Sequence, residues 1–223
     1  ARPGAGTLAG RPLGPPTRGA WVPGYADGDD DPIGLALARP NANVSWLEPG
    51  DARVAGRGNG GPDEIWEWDA GVAEGETAAH TDDGTLVNPV DVAISVARVY
   101  VADDVNAPGN GVIYELASDG TLAPIPGSGV DRPVGIAVDP SNQDLIVADA
   151  ELDRVVRIDE VSGAVSDMFT GLNALSWSCV QALDHGDAVL VSDRSAGRVY
   201  LFRRPPPTCF GAPFDTIDNP FPA

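Results

Sequence analysis

Short apolar runs alternate with turn residues along most of the chain, and residues 132 to 159 show the pattern most clearly. The runs PVGIAV and LIVAD each have the length of a buried strand, and the following RVVRID mixes apolar and charged residues. Pro, Gly, Asp and Asn residues lie at the ends of these runs, as they do at turns between strands. The stretch is therefore predicted to form three consecutive strands.

The same three-strand pattern recurs along the chain. In residues 88 to 117, PVDVAI, VYVAD and VIYELA take the places of PVGIAV, LIVAD and VVRIDE. A later copy spans residues 175 to 204, and a more divergent one begins at DPIGLALARP and resumes at DEIWEWDA after a Gly-rich insertion, GRGNGG. The period of about 40 to 45 residues is that of a propeller repeat. It is set by the third strand, which recurs at Ile65, Val112, Val155 and Val199.

A fourth, weaker strand follows two of the copies, as GTLAPIPG and as GAVSDMFTG. Four strands in each repeat predict an all-β fold, a β-propeller with about four four-stranded blades. The propeller is expected over residues 19–204, with blades near residues 32–79, 88–127, 132–171 and 174–204. The last copy has no obvious outer strand, and residues 19–24 have the pattern of one. We expect this N-terminal strand to close the last blade, which removes two exposed sheet edges.

The two ends of the chain have a different composition. Residues 1–18 are rich in Gly and Pro, and residues 205–223 are rich in Pro, with Phe210, Phe214 and Phe221 spaced along them. Extended Pro-rich segments with aromatic anchors are typical of docking on a partner surface. We therefore expect an extended arm at each end, with the three phenylalanines binding other protein subunits, which include copies of this chain.

The residues 132 to 159, P-x-G-I-A-V-D-P followed by L-I-V-A-D and D-R-V-V-R-I-D, resemble the NHL-repeat family of propellers, which is related to YWTD and gluconolactonase-type propellers. The resemblance is weaker elsewhere, and Glu151, Leu152 and Asp153 stand where that family has its Asn-His-Leu triplet. NHL propellers usually carry six blades. Four repeats therefore indicate either a small ring or two chains that share a larger one.

The net charge of the chain is −19, and all 14 basic residues are Arg. This charge disfavours nucleic acid and anionic membranes as partners, and no apolar run is long enough for membrane insertion. Divalent cations, a salty medium or a basic protein partner are compatible with this charge. A GC-rich genome, which favours Arg, Ala, Gly, Pro and Asp, would produce the same composition without any functional cause.

The chain begins at Ala1, which suggests a processed terminus and a secreted protein, extracellular or periplasmic. Its two cysteines, Cys179 and Cys209, lack the spacing of a metal site. In an exported chain these residues are expected to form a disulfide, and two buried thiols are the alternative.

Two groups of acidic residues are candidates for sites. Asp27, Asp29 and Asp31 have the alternate spacing of a calcium loop, although the glycine and the glutamate of an EF-hand are missing. A solvated acidic turn is the alternative. Asp103, Asp149 and Asp193 each follow the second strand of a repeat. Because the position recurs, we expect a structural role for them, in which the carboxylate accepts hydrogen bonds from the following turn.

Catalytic candidates are few. Metal-dependent lyases and hydrolases of the NHL or gluconolactonase type place several polar side chains around an ion, and the best candidates for such a site are His80 and Asp91. Carbohydrate binding through the tryptophans is a third possibility, but core packing explains them better. The sequence favours a non-enzymatic, exported propeller that acts as a structural or protein-interaction subunit.

Overall fold

The computed structural model describes residues 7–8, 11–12, 30–37, 47, 51–58, 64–68, 77–79, 85–105, 111–170, 172, 180–182, 188–193, 197–203 and 215–218. Every regular element among these residues is a β-strand. A short ladder near the N-terminus pairs β1 (Thr7–Leu8) with β2 (Arg11–Pro12). In this part of the chain no helix is long and apolar enough to cross a membrane.

The remaining strands form four antiparallel sheets of four strands each, and the strands of each sheet pair in chain order. The first sheet contains β3 (Asp30–Leu37), β4 (Ala52–Gly58), β5 (Glu64–Trp68) and β6 (Thr77–Ala79). The second contains β7 (Pro89–Ile94), β8 (Val99–Asp103), β9 (Val112–Leu116) and β10 (Leu122–Pro124). The third contains β11 (Pro133–Val138), β12 (Leu145–Asp149), β13 (Arg154–Ile158) and β14 (Val165–Thr170). The fourth contains β15 (Val180–Ala182), β16 (Ala188–Asp193), β17 (Arg198–Arg203) and β18 (Asp215–Asp218).

The register between strands shows that the sheets are true repeats. The second strand of each sheet carries a small residue opposite an aliphatic residue of the third strand, and the pairs are Ala55 with Ile65, Ala102 with Ile113, Ala148 with Val155 and Ser192 with Val199. In the second sheet the residue that corresponds to Ile65, Val155 and Val199 is therefore Ile113, and not Val112. An irregularity in the pairing also recurs just after a proline at or near the start of the first strand, at Pro32, Pro89 and Pro133.

The sheets stack face to face, and each junction holds one of three apolar clusters. The first and second sheets share a cluster around Ile65 and Val101, the second and third share one around Tyr100 and Val147, and the third and fourth share one around Val155. We call the face of a sheet that is directed at the next sheet in chain order its forward face, and the opposite face its backward face. The first strands also follow one another, since β3 packs on β7, β7 on β11 and β11 on β15.

Polar contacts reinforce the junction between the second and third sheets. The Val96 amide donates to Gln143 Oε1 at 2.9 Å, and the Tyr100 hydroxyl donates to Glu160 Oε1 at 2.7 Å. Burial and the nearby Glu160 carboxylate raise the pKa of the Tyr100 phenol above its usual value. These bonds join a loop and a strand of the second sheet to loops of the third, so the two sheets are fixed by direction-specific contacts as well as by apolar packing.

The sequence-based prediction for the last sheet is wrong in one respect. We expected the N-terminal strand at residues 19–24 to be its outer strand, but β18 pairs with the outer edge of β17 in the register Arg198 with Asp218 and Leu201 with Asp215. The outer strand therefore comes from within the segment assigned to the C-terminal arm. The other edge of β17 pairs with β16, and residues 19–24 lie outside the described part of the chain.

The second strand of the first sheet also differs from the prediction. The sequence predicts an insertion at the Gly-rich run of residues 56 to 61, but β4 extends from Ala52 to Gly58 and includes the beginning of this run. The register aligns Gly56 with Asp103 and Asp149, because all three lie opposite the proline near the start of the first strand. The sequence RVAG is thus the counterpart of YVAD and IVAD, with glycine in the place of the aspartate.

Candidate functional site

Asp103 joins the end of β8 to the segment that enters the first strand of the same sheet. Its Oδ2 accepts a hydrogen bond from the Val87 amide at 3.1 Å, and its Oδ1 accepts one from the Asn88 amide at 2.7 Å. The Asp104 amide donates to the Asn88 carbonyl at 2.9 Å. The Asp103 side chain is fully buried, and its bond to the Asn88 amide is shielded from water.

Asp149 repeats this arrangement in the third sheet. Its Oδ2 accepts from the Asp131 amide at 3.3 Å and its Oδ1 from the Arg132 amide at 3.1 Å, while the Ala150 amide donates to the Arg132 carbonyl at 2.8 Å. The guanidinium of Arg154 adds two bonds to Asp149 Oδ2, both at 3.1 Å. Arg154 also binds the Asp167 carboxylate at 2.9 Å, which connects the third and last strands of the sheet.

The structural role predicted for these aspartates is confirmed for Asp103 and Asp149, with one correction. Their donors lie in the segment before the first strand, 15 to 18 residues earlier in the chain, and not in the following turn. Asp193 is buried at the corresponding position of the fourth sheet. The recurrence in sequence indicated the role, but the partner could not be inferred from it.

Asp91 links two sheets. It lies on β7, and its Oδ1 accepts a hydrogen bond from the Val92 amide at 2.9 Å. Its Oδ2 accepts one from the Ile136 amide of β11 at 3.0 Å, across a sequence separation of 45 residues. Glycines, Gly34 and Gly135, stand at the corresponding positions of the first and third sheets. Burial raises the pKa of the Asp91 carboxyl to about 6, and the two hydrogen bonds only partly offset this effect.

The raised pKa of Asp91 predicts a specific pH dependence of stability. The folded state holds this proton up to about pH 6, whereas the unfolded chain releases it near 3.8. Ionisation of Asp91 therefore destabilises the fold as pH rises from about 4 to about 6, by up to about 3 kcal/mol. We expect wild type to lose more stability than Asp91→Gly between pH 4 and pH 7 in urea unfolding. Equal pH dependence in the two proteins would contradict this prediction.

Of the other residues proposed from the sequence, the structure describes only Asp31. Asp31 lies in β3, in register with Arg57, so this member of the proposed calcium loop belongs to a strand. The remaining residues lie outside the part of the chain that the structure describes, and they are Asp27, Asp29, His80, Cys179, Cys209, Phe210, Phe214 and Phe221. Among the described residues, no group of three or more His, Cys, Asp or Glu side chains is placed to hold a metal ion.

The loops beside the aspartates present an acidic surface with two apolar residues. Val87 and Leu152 are each 48% exposed, Glu151 is exposed, and Asp104 and Asp131 are half-buried. Sequence analysis missed Val87 and Leu152, because an isolated aliphatic residue in a loop carries no signal of its own. Such a surface can make apolar and charged contacts with a ligand or a protein.

Comparison with known proteins identifies the fold. No protein-family model matches the sequence, and no curated protein matches it either. Two solved structures of auxiliary nutrient binding proteins are similar to the chain. The one from Bacteroides thetaiotaomicron has a TM-score of 0.63 and 12% identity, over 82% of this chain and 41% of that protein. The one from Bacteroides ovatus has a TM-score of 0.62 and 14% identity, over 82% and 40%.

Virginiamycin B lyase from Staphylococcus aureus is also similar, with a TM-score of 0.55 and 14% identity, over 86% of this chain and 56% of the lyase. The chain spans about two fifths of the length of the two nutrient binding proteins. At these identities the likeness shows the fold alone: the chain is all-β and propeller-like. Membership of the NHL group within the propellers stays a prediction.

Proposed function

We propose that the chain is a non-enzymatic binding propeller and that its four sheets are four consecutive blades. One observation carries the proposal: the carboxylates of Asp91, Asp103 and Asp149 all accept hydrogen bonds from the main chain. A carboxylate held in this way stabilises the loops and the sheet junctions, and a substrate would have to displace those bonds to use it as a base.

The names of two similar structures support a binding role, because both are of auxiliary nutrient binding proteins. The acidic loop surface with Val87 and Leu152 is the surface that we assign to ligand contact. Its negative charge favours a ligand or protein partner that carries positive charge, since the whole chain has a net charge of −19.

The proposal includes a role as a structural or protein-interaction subunit of a larger, exported assembly. Residues 1–18 and the segments on either side of β18 would dock on neighbouring subunits, with Phe210, Phe214 and Phe221 as anchors. Calcium at Asp27, Asp29 and Asp31 would order the loop before β3. A chelator that leaves the melting temperature unchanged would remove calcium from the proposal.

A combined binding and turnover assay tests the function. The purified full chain would be incubated with a panel of sugars, amino acids, short basic peptides and basic proteins, and its melting temperature measured. We expect a concentration-dependent rise in melting temperature with at least one probe, because a ligand that binds only the folded state stabilises it. Mass spectrometry of the same mixtures should recover that probe unchanged.

A lyase or hydrolase is the second candidate, favoured by one observation. The carboxyl group of Asp91 has a pKa of about 6, which suits general acid–base chemistry near neutral pH. Consumption of a probe by wild type, and its loss in a folded Asp91→Asn variant, would support this function over the binding role. Asp103→Asn would be the control, because Asp103 lies at the end of β8 and not at the junction between first strands.

A further inference from the structure

The forward faces of the first three sheets are closed by the next sheet. At the centre of each face stands the aliphatic residue of the third strand, and Ile65, Ile113 and Val155 are all 0% exposed. Each packs into the cluster that it shares with the backward face of the following sheet. In every described junction, therefore, the cover of a forward face is the backward face of a sheet of the same kind.

The forward face of the fourth sheet differs from the others. Val199 stands at the position of Ile65, Ile113 and Val155, but it is half-buried, as is its face neighbour Leu190. The corresponding residue to Leu190 in the third sheet, Ile146, is 0% exposed. Neither Val199 nor Leu190 belongs to a described apolar cluster. The face is apolar, but its packing is incomplete.

Among the described strands, the first sheet of the same chain does not cover the forward face of the fourth sheet. The first strands of neighbouring sheets pack on one another, β3 on β7, β7 on β11 and β11 on β15. The first strands of the first and fourth sheets, β3 and β15, do not pack on one another in this way. A closed ring of four blades would bring those two strands together as neighbours. The four sheets thus form an arc with a forward face at one end and a backward face at the other.

We infer that a second copy of this chain completes the ring, with the backward face of its first sheet on the forward face of the fourth sheet. This inference rests on the proposed function, in which the four sheets are propeller blades, and it names a second copy of the chain as one protein partner. The register places apolar residues, Val54, Trp66 and Trp68, at the positions that Val147, Val156 and Ile158 occupy on the backward face of the third sheet. Two such contacts related by a twofold axis give eight blades, within the range of about 4 to 8 known for propellers.

Light scattering of the full chain at physiological ionic strength tests this inference, because salt screens the repulsion between two acidic chains. We expect a mass of about 46 kDa, twice the 23.0 kDa of one chain, at all but the lowest concentrations. Val199→Glu should weaken the association at least about tenfold, since it places a charge at the position that is buried in every closed junction.

Leu201→Glu provides the matched control on the same face. Glu67 and Glu115 stand at the corresponding positions of the first and second sheets, so a glutamate there is compatible with a closed junction. This variant should keep the mass of the pair. If Val199→Glu does not fold, Val199→Thr retains the side-chain shape and must weaken the association instead.

Two results would overturn the inference: a wild-type mass of 23.0 kDa at all concentrations, or equal association of wild type and the folded Val199 variant. Neither result would affect the binding of a probe to the loop surface. A monomer that still binds its probe would thus refute the ring completed by two copies and leave the proposed binding function intact.

Discussion

Replacing Asp149 with alanine is expected to lower the free energy of unfolding by about 3 to 5 kcal/mol. The carboxylate is 0% exposed, and its removal leaves two main-chain amides and the Arg154 guanidinium without their acceptor. Arg154 is itself only 17% exposed, and the exposed Asp167 carboxylate would be its remaining ion-pair partner. Urea unfolding of the wild type and the variant measures the difference.

The second partner of Arg154 supplies the control for this prediction. Asp167 binds Arg154 at 2.9 Å but is 52% exposed. Asp167→Ala should therefore cost less than about 1 kcal/mol, as exposed ion pairs usually do. Similar losses for the two variants would show that Asp149 acts as a surface ion pair and does not hold the strand to the preceding segment.

Replacing Phe202 with alanine is expected to cost about 3 to 5 kcal/mol as well. The ring is 2% exposed and stacks on Phe169, with 3.5 Å between the ring centroids, at the junction of the third and fourth sheets. Its removal leaves a cavity between two sheets that are held together chiefly by apolar packing. Thermal or urea unfolding of the variant measures the loss.

Phe202→Leu should recover much of this stability, because it refills most of the cavity without the ring stacking. Val161→Ala is the surface control: Val161 is 91% exposed, and its truncation should change stability by less than about 0.5 kcal/mol. A loss below about 1 kcal/mol for Phe202→Ala would contradict the stacking of the third and fourth sheets.

The repeat was predictable because its signals are local. The runs that form β11, β12 and β13 have the composition of strands and are bounded by turn residues, and the same order recurs in β7, β8 and β9. The weak outer strands β10 and β14 could also be placed, since they lie at a fixed distance after the third strand. Each of these signals is short, and its recurrence at a fixed period is what allows the strands to be predicted.

The sequence did not predict two of the strands, β4 and β18, and the reasons differ. In β4 the sequence departs from the repeat, because Gly56 replaces the aspartate that ends the second strand elsewhere, and the glycines following it resemble a loop. In β18 the strand is only four residues long and lies in a Pro-rich segment, so composition favoured an arm. These four residues form a strand because they pair with the outer edge of β17.

The site could be predicted only in part. Sequence indicated Asp91 because it interrupts an apolar first strand where Gly34 and Gly135 stand in other repeats. Its hydrogen bond to the Ile136 amide depends on how two sheets stack, and nothing local to residue 91 encodes that. The same holds for Asp103 and Asp149, whose amide donors belong to segments that precede their sheets.

Hydrogen exchange at the Ile136 amide tests most directly the central claim that the acidic residues of this propeller serve its structure. If Asp91 holds that amide, it should be protected in wild type and exchange much faster in Asp91→Gly, while the Val156 amide, within the third sheet, stays protected in both proteins. Equal exchange of the Ile136 amide in the two proteins would contradict the claim, because the Asp91 carboxylate would then be available for chemistry.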